Sequence, residues 1–250
     1  DLSPDETEVV AVLRQSSEVV RFGLDTPDQV TVLPLVDLPA GQVAMTPDGK
    51  YAVLYTSVQS KTLNPDTAQE KIIGPLNEWL VLLDMDSGNT RVVALEKGVK
   101  AVEVSPDGQR AVVVHDQWLG AQAATTSASQ LTNEIDREFG FSVVDIASGY
   151  AKLELTGLRP LGLLIAPDSQ RGFVLLPDSS GHGGNAVVDV DLTSFSMTQV
   201  RLGSPPVHAV LVGDRLAISQ DHPSGRVTFL VLDSGKTETV TGFQLNGLIK

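Results

Sequence analysis

The chain has four histidines, and three stand beside an aspartate: His115 with Asp116, His182 with Asp178, and His222 with Asp221; the fourth is His208. Neutral imidazole nitrogens and carboxylate oxygens are the donor set that Zn²⁺, Cu²⁺ or Mn²⁺ takes. No pair shows a tight ligand spacing of the H-x₃-H kind, so a metal would need ligands from distant segments. Cysteine is absent, which excludes thiolate sites and disulfides. Trp79 and Trp118 offer aromatic faces suited to an organic ligand or a peptide.

Other catalytic patterns fare poorly. Gly-x-Ser-x-Gly is absent, so Gly181-His182-Gly183-Gly184 reads as a flexible glycine-rich loop, not as an esterase oxyanion loop. No phosphate-binding or dinucleotide fingerprint occurs.

The elements that must position these residues are announced by a repeated phrase. Thr46-Pro47-Asp48-Gly49 leads into Tyr51-Ala52-Val53-Leu54. Ser105-Pro106-Asp107-Gly108 leads into Arg110-Ala111-Val112-Val113, and Ala166-Pro167-Asp168-Ser169 into Arg171-Gly172-Phe173-Val174. Ser3-Pro4-Asp5-Glu6 is a further copy, and Gly213-Asp214-Arg215-Leu216 a decayed one. Proline presets the first turn position, aspartate bonds back to the turn, and glycine takes the left-handed position. A second turn recurs at Asp86-Ser87-Gly88, Ala147-Ser148-Gly149 and Asp233-Ser234-Gly235. Short Val/Leu/Ile/Ala runs between such turns are strands. Four antiparallel strands per repeat make a β-propeller blade.

The S-P-D-G signature followed by a strand resembles the bacterial non-WD propellers of the YVTN and TolB-like kind, over nearly the whole chain. No Gly-His…Trp-Asp set recurs, so the chain is WD40-like in architecture only. The expected fold is all-β: one domain, 1–250, with blades at 1–38 plus 243–250, 39–96, 97–156, 157–202 and 203–242. Residues 243–250, with Leu245–Ile249 as the innermost strand, would complete the first blade and close a ring of five. The alternative is a fragment of a six- to eight-bladed propeller.

Insertions at 57–77 and 116–138 lengthen two blades between their second and third strands. Asn64-Pro65-Asp66 predicts a helical turn in the first. Leu131, Ile135 and Phe139 share one helical face in the second, with Gly140 as the stop. Such loops on a rigid scaffold carry function. The resemblance implies that these loops and the starts of the innermost strands share one face. It would gather His115, Asp116, His182, His208 and His222 there, with Trp79 and Trp118 in or beside the insertions. Along the innermost runs Glu103 is the one carboxylate, which disfavours the paired-acid chemistry of glycosidases.

Net charge is −13, against nucleic-acid binding as the main role. No apolar run approaches the ~20 residues that span a bilayer. The first residue is Asp, so an upstream segment is expected to have been removed or left out, and the resemblance implies a periplasmic, cell-surface or secreted location, including a lipoprotein. The reading that follows is a non-catalytic binding or scaffold propeller with a protein or small-molecule ligand and no required cofactor. The alternative is a metal-assisted hydrolase, lactonase or lyase with His115, His182, His208 and His222 around a divalent metal.

Overall fold

The computed structural model describes all residues except 14, 15, 17, 36–39, 58–61, 64–69, 72–77, 118–133, 179, 182 and 243–250. By compactness the chain divides into two units, Asp1–Leu155 and Thr156–Lys250.

The first unit holds three blade sheets. Sheet I is β1 (Glu8–Leu13), β2 (Glu18–Gly23) and β3 (Thr31–Pro34). An isolated bridge, Leu2 to Val9, marks the innermost position beside β1. The repeat that bears the first insertion has six strands among the described residues. Its sheet II is β4 (Gln42–Met45), β5 (Tyr51–Tyr55), β8 (Trp79–Asp84) and β9 (Thr90–Ala94), with the small ladder β6 (Thr62–Leu63) and β7 (Glu70–Lys71) inside the first insertion. Sheet III is β10 (Val99–Val104), β11 (Arg110–His115), β12 (Gly140–Asp145) and β13 (Ala151–Leu155). The second unit holds sheet IV, β14 (Gly162–Ile165), β15 (Arg171–Leu176), β16 (Ala186–Asp191) and β17 (Met197–Arg201). Sheet V is β18 (Pro206–Val212), β19 (Arg215–Gln220), β20 (Arg226–Val231) and β21 (Thr237–Thr241). All pairings are antiparallel between consecutive strands, as propeller blades require.

The second and third strands are near-continuous apolar runs because both their faces are covered. Ala52 and Leu54 of β5 join Val10, Val19, Val81 and Leu83 in one core. Val53 points the other way and joins Leu80, Leu82, Ala111, Val113 and Val144. In the second unit Phe173 and Leu175 pack with Leu216, Ile218 and Leu230. Each fully buried Val, Leu, Ile or Phe among them contributes about 1.5–3 kcal/mol. The fourth strands face water, and β9 and β17 are mostly exposed.

Three copies of the repeated turn are held by one device, which the Ala166 copy lacks. The Thr46 hydroxyl donates to Asp48 Oδ1 at 2.6 Å and accepts from the Tyr51 amide at 3.0 Å. Ser105 does the same with Asp107 and the Arg110 amide, and Ser3 with Asp5 and the Glu8 amide. Gly49 and Gly108 take the left-handed position at φ 72° and 70°, where the other copies place Glu6 (57°) and Ser169 (60°). Turns of successive blades also touch: a Cβ on Gly108 would lie 3.2 Å from Thr46 Cβ.

Two expectations about the insertions change. Ile135 does lie in a helical turn, at 134–137, while Phe139 lies beyond it and Leu131 falls outside the described residues. Gly140 is no helix stop. It opens β12, and a Cβ there would sit 2.5 Å from the Glu154 carbonyl oxygen, so close strand approach explains the glycine. In the first insertion Asn64-Pro65-Asp66 falls outside the described residues.

The turn geometry yields a paired test by urea denaturation. Gly108→Ala should cost about 1–2 kcal/mol, because L residues pay that much in the left-handed region. Glu6→Gly, exposed and left-handed, should gain about 0.5 kcal/mol, the relief of strain less the entropy that glycine adds to the unfolded chain.

Candidate functional site

Both insertions are rooted in one short segment, residues 97–100, which runs from the connection after sheet II into the start of β10. The first insertion leaves β5 through Ser57, whose hydroxyl donates to the Lys100 carbonyl at 2.8 Å. It returns at Glu78, half-buried just before β8. The second leaves β11 through Asp116, which pairs with Lys100 Nζ at 3.3 Å. It returns through the 134–137 turn, where Lys97 Nζ donates to the Ile135 carbonyl at 2.5 Å.

Lys97 is 1% exposed and Asp136 4%. Burial holds the Lys97 ammonium below the usual lysine range, against the opposing pull of Asp136, Glu138, Glu78 and Asp116. Burial raises Glu78, helped by the Asp136 charge and opposed by Lys97. Asp136 is raised for the same first reason, again opposed by Lys97. A buried ammonium is tolerable only with such partners around it.

His115 completes the root. It is fully buried, with Nδ1 3.0 Å from the Gly98 carbonyl oxygen and Nε2 2.8 Å from Ser142 Oγ. A carbonyl only accepts, so Nδ1 carries the proton and Nε2 accepts from the serine hydroxyl. Burial brings its pKa down to about 4, the Gly98 bond opposing and the Lys97 charge assisting.

The other expected site residues are placed as follows. Trp79 begins β8 and packs, half-buried, against the core between sheets I and II. His208 lies exposed on β18, beside a register shift. His222 follows β19, and its Nδ1 accepts from the Ser224 amide at 3.2 Å. Trp118 and His182 fall outside the described residues. Asp178 binds its own loop, accepting from the Ser180 and Gly184 amides. Glu103 is exposed on β10. Among the described residues no three His, Cys, Asp or Glu side chains are grouped to hold a metal. His115 has both ring nitrogens engaged inside its blade and so stands apart from an open metal face.

Lys97, Glu78 and Asp136 went unread in the sequence. Lys97 follows Glu96 in a two-turn connection that looks solvated, and nothing local signals its burial. The acidic run around Ile135 is the one available hint.

No family model matches the chain, and no curated protein matches it. Among solved structures, tricorn protease superposes with a TM-score of 0.52 at 11% identity, covering 94% of this chain and 26% of that one. The chain therefore spans about a quarter of that protein's length. A protein described as TolB from Agrobacterium tumefaciens superposes with a TM-score of 0.47 at 17% identity, covering 96% of this chain and 78% of that one. Both are β-propeller proteins. The tricorn likeness, at that identity, concerns the fold alone, and it agrees with the sheets described above: the chain is an all-β protein of the propeller class, its five antiparallel sheets fitting five blades. Among the described residues no helix is long and apolar enough to cross a membrane.

The root makes two predictions. His115 has a folded pKa below its unfolded value of 6.5, so its contribution to stability is full above pH 6.5 and is lost as pH falls toward about 4. The loss is on the order of 3 kcal/mol. Glu78 and Asp136, raised in the fold, act with the opposite sign. The comparison that isolates the imidazole is acid denaturation of His115→Gln, whose stability should lack this fall between pH 6.5 and 4. Lys97→Met should cost about 3–5 kcal/mol at pH 7, because it strands buried carboxylates. Part of that loss should return on acidification, as a pH series of thermal melts would show.

Proposed function

We propose that this chain is a non-catalytic recognition module, which binds a protein or small-molecule ligand through the face bearing the 57–77 and 116–138 insertions. The observation that carries the reading is the common root. Ser57, His115, Asp116 and Ile135 all bond to the 97–100 segment. Loops held this way at their bases present a surface from a rigid scaffold without needing rigid tips. Of the expected contact groups, Trp79, Trp118, His115 and Asp116 belong to the first unit with the insertions, His115 as a support, and His182, His208 and His222 belong to the second. A location outside the cytoplasm is inferred from the resemblance of the repeat alone.

The test is a peptide library displayed on phage and panned against the intact chain. Selected peptides should bind at least tenfold more weakly when 58–77 and 118–133 are replaced by short Gly-Ser connections, while the melting temperature changes by only a few degrees. Binding that survives both replacements, or turnover of a bound compound, would overturn the reading. Metal content provides an independent check. Purified protein should carry no stoichiometric transition metal, and His208→Ala should behave as the parent does. About one metal per chain, lost in that variant, would favour the metal-assisted hydrolase instead.

A further inference from the structure

We infer that the opposite end of the first unit is a second interaction surface, which binds an extended partner segment carrying both basic and apolar side chains. The Pro-Asp-Gly turns and the Ser-Gly turns lie at the strand ends away from the insertions, because β4–β5 and β8–β9 close there. Between sheets I and II this end is concave. One cavity of about 580 Å³ runs along β2 and β3 to the Asp86-Ser87-Gly88 turn. A second, of about 310 Å³, continues it to the Pro4-Asp5 and Asp48-Gly49 turns, and the two share Glu8, Arg21, Met85 and Asp86.

The chemistry of this groove is two-sided. Phe22, Val30, Leu33 and Met85 line the longer cavity, and Val30 is 50% exposed. Asp5, Glu8, Asp48 and Asp86 supply four carboxylates, against the Arg21 guanidinium and the Lys50 ammonium, which pairs with Asp48 at 3.3 Å. Arg21 and Glu8 engage each other, Nε at 2.8 Å from the carboxylate, and Nη1 reaches the Met85 carbonyl at 3.5 Å, which leaves Asp5 and Asp86 as the carboxylates outside an ion pair with a side chain of this groove. Hydrogen bonds from Ser3 and Thr7 hold Asp5 below its usual range, so it stays ionised in mild acid.

Two wider facts select the occupant. Residues 1–155 carry 23 acidic and 11 basic side chains, against 8 and 7 in the remainder, so almost all the net charge lies in this unit. A cationic partner is steered toward this unit and an anionic one repelled. Among the described residues β3 pairs only with β2, so its outer edge presents main-chain groups that an extended segment can meet. Apolar residues alternating with basic ones then suit the two sides of the groove.

The probes are three fluorescein-labelled peptides of equal length: one alternating Lys and Val, one with Ser for each Val, and one with Glu for each Lys. Fluorescence anisotropy at 150 mM salt should show the Lys/Val peptide binding at least tenfold tighter than either of the others. Asp86→Lys should weaken it at least tenfold. Glu134→Lys, the same charge change on the exposed part of the second insertion, should weaken it less than twofold. Equal binding of the Lys/Ser peptide, or equal weakening by both variants, would reduce the effect to net charge and overturn the proposal. Absence of binding at millimolar peptide would overturn it as well. Asp86→Asn, a milder change at an exposed position, serves if the lysine variant does not fold. None of these outcomes depends on whether the insertion face binds a ligand.

Discussion

A strand that is apolar on both faces must be covered on both, and this constraint organises the chain. Val53 and its two neighbours in β5 serve different cores. A single blade could not bury them, so the blade is a unit of sequence but not of stability. The same demand explains why β8, β12 and β16 are largely apolar and buried, interrupted only by the buried Ser142 and Asp189, while the fourth strands are more exposed. Stacked blades must also keep their connections short and alike. The hydroxyl–aspartate turn provides this, and its left-handed fourth residue sets how closely the next turn can nest.

Arginines add polar ties between blades. Arg91 donates to the Ala147 carbonyl, and Arg171 donates to the Leu232 carbonyl while pairing with Asp189. Each reaches the strand-three to strand-four turn of the following sheet. A guanidinium suits this role because its rigid fork can hold a carboxylate and a carbonyl together. Apolar packing supplies most of the cohesion between blades, and these bonds set the height at which one blade meets the next.

The two ends of the first unit have different physics. At the insertion end, charge is buried: Lys97 and His115 sit in a low-dielectric root whose hydrogen bonds join two loops to one segment. At the turn end, charge is exposed, because the turns use aspartate to satisfy backbone amides. Its acidity is thus first a by-product of turn chemistry, and the groove between sheets I and II is where that acidity meets apolar surface. The proposed recognition by loops would draw on the first property and the proposed groove on the second.

The repeat was legible in the sequence because turns are local. Proline, aspartate and glycine act within four residues, so Thr46–Gly49 and Ser105–Gly108 announce their conformation without help from the rest of the chain. Strand order followed, since consecutive strands joined by tight turns must pair. The candidate site was legible only in outline. The lengths of 57–77 and 116–138 marked two loops on neighbouring blades, but their common root was hidden. His115 looked like an exposed ligand at a strand end, and tertiary packing made it a buried, neutral support bonded to Gly98 and Ser142. Lys97 looked solvated, and packing enclosed it among carboxylates drawn from two insertions. Local sequence determines how the backbone turns. Which polar groups lose water depends on what segments dozens of residues away place over them, and only the tertiary structure decides that.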